Sequence, residues 1–70
     1  MSQWSAAKAR RVFAALLRTG WHHDRTVGSH RILKKEGWAD YVFSFHDAEE
    51  LGPVILAKMA KKTGLSPDDI

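Results

Sequence analysis

The spacing of apolar positions changes along the chain, and the changes mark its elements. Ala9, Val12, Phe13, Leu16 and Leu17 recur at helical intervals, which predicts a helix over 6–18 with Ser5 as its N-cap. Residues 1–4 are a short lead-in. Lys8, Arg10, Arg11 and Arg18 fall largely off the apolar stripe and give this helix a basic face. Gly20 suits the left-handed residue that ends a helix, and Arg18 sits favourably near the negative end of the helix dipole.

After Gly20 the period shortens. A first strand is expected over 21–25, with Trp21 packed into the core directly after the helix stop, and Thr26-Val27-Gly28 as the turn that follows. A second strand over 29–35 puts His30, Ile32 and Lys34 on one face and Ser29, Arg31, Leu33 and Lys35 on the other. Each face carries an aliphatic residue and a charge, so alternation alone leaves open which one meets the helices. The connection over 36–40 contains Gly37 and Trp38; Trp38 is expected to fold back over the sheet, the other reading being a ring that stacks on a base or docks a partner. A third strand over 41–45 gathers Tyr41, Phe43 and Phe45 on one face, which should lie against the helices. His46 closes it, and the polar link Asp47-Ala48-Glu49-Glu50 follows.

Gly52-Pro53 opens a second helix, with proline at the first helical position where its missing N–H does no harm. Ile55, Leu56, Met59 and Ala60 form its stripe, while Lys58, Lys61 and Lys62 face outward. Gly64 is its stop and Leu65 the hydrophobic latch beyond it. Ser66-Pro67-Asp68-Asp69 reads as the capped start of one more helical turn. The order is α-β-β-β-α. Short connections make the strands antiparallel, and two amphipathic helices must cover one face of the sheet. The expected architecture is a two-layer α+β domain spanning residues 1–70, with the other sheet face open.

Composition narrows the chemistry. A 70-residue chain buries only ~60% of its unfolded surface, so the core is modest. There is no cysteine, hence no disulfide framework and no thiolate metal site, and a reducing compartment is the simplest setting. No apolar run approaches the ~18 residues of a membrane span and no signal segment opens the chain, so a cytoplasmic location without membrane contact is expected. A net charge of +3 fits a nucleic acid or an acidic protein as partner. His22 and His23 point to opposite faces of a strand and lack a supporting carboxylate, so neither a metal site nor a cofactor is expected.

The stretch with most chemical content is Gly28-Ser29-His30 followed by Arg31, Lys34 and Lys35. An imidazole takes and gives a proton near neutral pH, and the flanking cations suit a phosphodiester. The plain alternative is a hairpin turn followed by an ordinary surface strand. His46 is a second candidate acid or base from its position at a strand end.

Taken together, the chain resembles the HicA family, the ribonuclease half of bacterial HicA–HicB toxin–antitoxin pairs. The matching pieces come in the family's order: Gly20 followed by the aromatic Trp21, Gly28-Ser29-His30 leading into a strand, His46 closing the third strand, Glu50-Leu51-Gly52-Pro53 before a helix, and Gly64-Leu65-Ser66-Pro67 after it. Two places depart from the family pattern. The segment Glu36-Gly37-Trp38-Ala39-Asp40 is bulkier than an Asp-Gly turn, and Ser44 stands where a proline is usual. The resemblance implies a double-stranded RNA-binding-domain-like fold, an mRNA-cleaving toxin that arrests growth, and a HicB-like antitoxin that shields its site. It carries the family's essential histidine to His30. Gly28, Ser29, Arg31, Lys34 and Lys35 are then the expected RNA contacts and His46 the candidate second acid or base. Two non-catalytic alternatives are a double-stranded RNA-binding module and a face that only docks an acidic protein.

Overall fold

In the computed structural model, which describes residues 3–70, the elements run β1 (Ala7–Lys8), α1 (Ala9–Arg18), β2 (His22–Val27), β3 (His30–Lys34), β4 (Tyr41–Phe43), β5 (Glu50–Leu51), α2 (Pro53–Thr63) and a closing 3-10 turn (Pro67–Asp69). The first two residues of the lead-in lie outside the described residues. Strands β2, β3 and β4 form an antiparallel sheet in chain order, and β1 pairs with β5 in a separate two-stranded ladder. Leu33 and Phe43 from the sheet, Val12 and Leu16 from α1, and Leu56 and Met59 from α2 share one buried cluster. The expected α+β layering is therefore present.

The β1–β5 ladder is what the helical pattern does not reveal, and it moves the start of α1. The helix begins at Ala9, three residues later than expected, because Ala7 and Lys8 are extended and pair with Leu51 and Glu50. Ser5 is not its cap. Instead the first amides of the helix donate to backbone carbonyls of the later loop, Ala9 to Glu49 at 2.7 Å and Arg10 to Asp47 at 3.1 Å. A helix N-terminus needs acceptors, and the carbonyls of a neighbouring loop supply them as well as a side chain does. The stripe is also rotated slightly: Ala15 is buried and Leu17 is 41% exposed. On α2 the buried line is Leu56, Met59 and Thr63, with Ile55 exposed.

The helix stops behave as the glycines predict. At the end of α1, Gly20 has φ +106°, the Trp21 amide donates to Leu16 O at 3.1 Å and the Gly20 amide to Leu17 O at 3.3 Å. This is the paired hydrogen-bond pattern of a Schellman stop. It delivers Trp21, 2% exposed, into the core, where its indole N–H donates to Thr63 O at 3.1 Å at the far end of α2. Trp38 folds back as expected, edge-on to Trp21 with ring centroids 6.1 Å apart, and rests on Gly64. Beyond Gly64 the Ser66 hydroxyl accepts from the Asp68 amide at 3.3 Å, and the Asp69 carboxylate accepts from the Ser66 amide at 2.8 Å, which caps the closing turn.

Strand ends shift from the expected positions. Val27 pairs with His30, so the β2–β3 hairpin turns on the two residues Gly28-Ser29 rather than on 26–28. Gly28 has φ +61° and among the described residues no non-glycine residue has positive φ, the pattern of a type II′ turn, whose twist matches that of the strands. Within β2, His23 pairs with Leu33 and Arg25 with Ile32, which leaves Asp24 as a bulge. β4 ends at Phe43 instead of 45, although Phe45 still packs edge-on against the Phe43 ring at 5.4 Å.

Gly64 and Gly28 both hold positive φ, but only at Gly64 would a Cβ meet another group, the Trp38 ring at 2.9 Å. Gly64→Ala should therefore cost about 2–3 kcal/mol of stability and Gly28→Ala about 1 kcal/mol. Urea unfolding of the two variants beside the wild type measures the difference. Equal losses would show that the Trp38 contact adds nothing.

Candidate active site

Which face of β3 is open follows from burial. Leu33 is fully buried against the helices and His30 is exposed, so His30, Ile32 and Lys34 point away from the core. Cross-strand partners share a face. The registers therefore put Val27, Arg25 and His22 of β2 beside His30, Ile32 and Lys34 respectively, and Val42 of β4 beside Ile32. This is a shallow, solvated surface of three short strands with Val27 and Val42 as its exposed apolar floor. The His30 ring makes no hydrogen bond or ion pair among the described residues. It begins β3 directly after the Gly28-Ser29 turn, on backbone held by pairing to Val27.

The cations that follow His30 in sequence are divided by the sheet. Lys34 stays on the open face, where its ammonium donates to Asp40 at 2.8 Å and both side chains are 47% exposed. Arg31 points to the helix side. Its guanidinium lies 4.5 Å from the centroid of Phe13 and 5.5 Å from that of Phe43, and it donates to the Asp47 carboxylate at 2.5 Å. With 22% of its side chain exposed, Arg31 is a packing residue as well as a charge. Lys35 also leaves the His30 face: its ammonium donates to Thr19 O at 2.8 Å, at the negative end of α1, and sits 5.7 Å from the Trp38 ring. Of the expected RNA contacts, the structure thus keeps Gly28, Ser29 and Lys34 with His30 and puts Arg31 and Lys35 behind the sheet.

His46 lies just beyond β4, exposed. Because Arg31 pairs with Phe43, the chain leaving β4 toward His46 runs past the end of the sheet where β3 begins with His30. The Arg31–Asp47 ion pair ties the residue after His46 to the residue after His30. The His46 carbonyl accepts from the Glu49 amide at 2.9 Å, and its amide donates to the Glu49 carboxylate at 3.4 Å, which closes the loop on itself and leaves the ring outside these bonds. His22 and His23 point to opposite faces as the alternation requires. His22 pairs with Lys34 at the far end of the open face, and His23 shares a 2.8 Å hydrogen bond with the Thr26 hydroxyl and meets the edge of Phe13. On the buried side, desolvation pushes the Tyr41 phenol above its ordinary pKa, which keeps it neutral at physiological pH.

Sequence reasoning missed Arg25. Read from the buried Trp21, strict alternation puts Arg25 inward. The bulge at Asp24 turns it outward instead, beside Ile32 and diagonal to His30.

The family model described as "HicA toxin of bacterial toxin-antitoxin" matches residues 9–65 of the 70-residue chain. The match takes in α1, the whole three-stranded sheet, the His46 loop and α2. Neither the curated proteins nor the solved structures compared with the chain gave a match. Among the described residues no helix is long and apolar enough to cross a membrane.

The division of the cations has a measurable consequence for stability. Arg31→Ala removes a half-buried stack and an ion pair and should cost about 1–2 kcal/mol, whereas Lys34→Ala should stay within about 0.5 kcal/mol of wild type. Thermal and urea unfolding of both variants test this, and the reverse ranking would mean that the faces are assigned wrongly.

Proposed function

The chain belongs to the HicA toxin family of bacterial toxin–antitoxin systems, and from that premise we propose that it is a metal-independent endoribonuclease. It cleaves mRNA on the open sheet face, arrests translation and growth in the cytoplasm, and is neutralised by a HicB-like antitoxin that covers that face. The observation that carries this reading is the exposed, unpartnered imidazole of His30 on rigid strand backbone beside a two-residue turn. A ribonuclease that uses no metal needs a proton acceptor that reaches a 2′-hydroxyl, and an imidazole on a flat solvated face can do so.

In the proposed reaction His30 takes the 2′-hydroxyl proton. The freed oxygen attacks the adjacent phosphorus, the bond from phosphorus to the 5′-oxygen breaks, and that oxygen leaves as a hydroxyl after receiving a proton. The products are a 2′,3′-cyclic phosphate and a 5′-hydroxyl end. His46, at the same end of the sheet, is the candidate donor of the second proton. Lys34 supplies positive charge on the substrate side, and the Gly28-Ser29 turn lets the RNA backbone approach closely because its first residue has no side chain. Arg31 serves from behind: its ion pair to Asp47 holds the His46 loop beside the start of β3. Lys35 holds the end of α1 in the same supporting manner.

One observation favours a second reading. Arg10 and Arg11 of α1 and Lys58, Lys61 and Lys62 of α2 make no side-chain hydrogen bond or ion pair among the described residues. Free cations on helices suit a non-catalytic module that grips the phosphates of duplex RNA.

Cleavage of an RNA oligonucleotide by the purified protein in a metal chelator, beside His30→Ala, separates the two. The nuclease reading expects wild-type cleavage, cyclic-phosphate ends, no cleavage of a 2′-deoxy strand, and a loss of about 10²–10⁴ in rate for His30→Ala with its fold intact. His46→Ala should lose less. Equal cleavage by wild type and His30→Ala overturns the assignment of His30, and duplex binding without cleavage by either favours the binding module.

A further inference from the structure

On the open face, His30 and Lys34 are separated along β3 by roughly 13 Å of strand, too far to hold one phosphate together. The interval is occupied from the neighbouring strand. Arg25 pairs with Ile32, midway between them, and is the diagonal neighbour of His30, roughly 7–8 Å away. It is there because of the bulge: His23 and Arg25 are two residues apart yet lie on opposite faces, and Asp24 is the unpaired residue between them. Bulges of this kind re-aim a side chain at the edge of a sheet. Arg25 is solvent-exposed, and among the described residues its only ionic contact is the carboxylate of that same Asp24, at 2.6 Å. Arg31, the cation next to His30 in sequence, is turned away and spent on Phe13 and Asp47.

We infer that Arg25 is a phosphate-binding residue of the RNA-cleaving face, presented by the Asp24 bulge and paired with the Asp24 carboxylate until a phosphodiester replaces it. The inference rests on the nuclease reading above and extends it to how the strand is held. His30, Arg25 and Lys34 form a line along which consecutive phosphates of one RNA strand can lie. The exchange at Arg25 is easy because an exposed carboxylate partner is weakly held, and a phosphate offers the same forked guanidinium two oxygens. Such contacts position the strand without reading its bases.

The test uses the intact chain and a single-stranded RNA oligonucleotide of mixed sequence. A 2′-O-methyl form, which has no nucleophile, reports binding by fluorescence anisotropy across a salt series, and the all-ribose form reports cleavage. Arg25→Gln should weaken binding about tenfold at low salt, reduce the slope of log K against log salt by about 0.7, and raise KM with kcat nearly unchanged. Arg25→Lys should restore the slope, and Asp24→Asn should tighten binding several-fold by releasing the guanidinium. Wild-type cleavage together with an Arg25→Gln variant of unchanged affinity and slope overturns the Arg25 contact and leaves the nuclease reading standing. A wild-type chain that neither binds nor cleaves RNA overturns both.

Discussion

The fold depends on the hydrogen bond from the Trp21 indole to Thr63 O. The two residues are 42 apart in sequence, and the bond joins the stop of α1, the entry to the sheet and the last turn of α2. A buried indole N–H must find an acceptor, and few carbonyls are free inside a domain this small. The end of a helix is one place where they are, since its last carbonyls have no partner within the helix. Thr63 is itself buried and satisfied through its hydroxyl, which donates to Met59 O at 2.9 Å and accepts from the Leu65 amide at 3.2 Å. Tyr41 and Trp38 then close around Trp21. Once that end of the sheet is pinned beneath both helices, its other face has nothing left to cover it.

That constraint settles how charge is used. Positive side chains on the helix side of the sheet serve the structure: Arg31 spans from Phe13 to Asp47, and Lys35 completes the carbonyl end of α1. On the open face, the partners of Lys34 and Arg25 among the described residues are the exposed carboxylates of Asp40 and Asp24. Exposed pairs of this kind keep a cation oriented while leaving it available to a stronger anion. On the face that carries His30, the charges of Arg25 and Lys34 are therefore each balanced by a neighbouring carboxylate.

Family membership fits this arrangement without being needed to see it. A toxin that must be held inactive by a protein partner benefits from an open, rigid site, since a flat face on paired strands can be covered as a unit. The small β1–β5 ladder contributes at a distance. It fixes the segment from Asp47 to Glu50 against the start of α1, and with it the loop that carries His46.

Much of the architecture was legible in the chain because it is decided locally. Helical spacing of Val12 and Leu16, glycines at the two helix stops, Pro53 at a helix start and Gly28 in a hairpin each act over a few residues, so the order of elements could be read directly. The same holds for the Gly28-Ser29-His30 stretch as a candidate site. Three features were not legible, and each is non-local. The start of α1 was set by residues 47–51, some forty positions away, where the strand Glu50–Leu51 supplies a pairing partner and the loop before it the acceptors. The face on which His30 stands was set by where the helices landed, since β3 offers an aliphatic residue on both sides. The outward turn of Arg25 was set by a conflict of parity, in which Trp21 must face the core at one end of β2 and Val27 must match His30 at the other, and one extra residue reconciles them. Local chemistry determined what each segment is; only packing between distant segments decided which of its side chains stand on the open face.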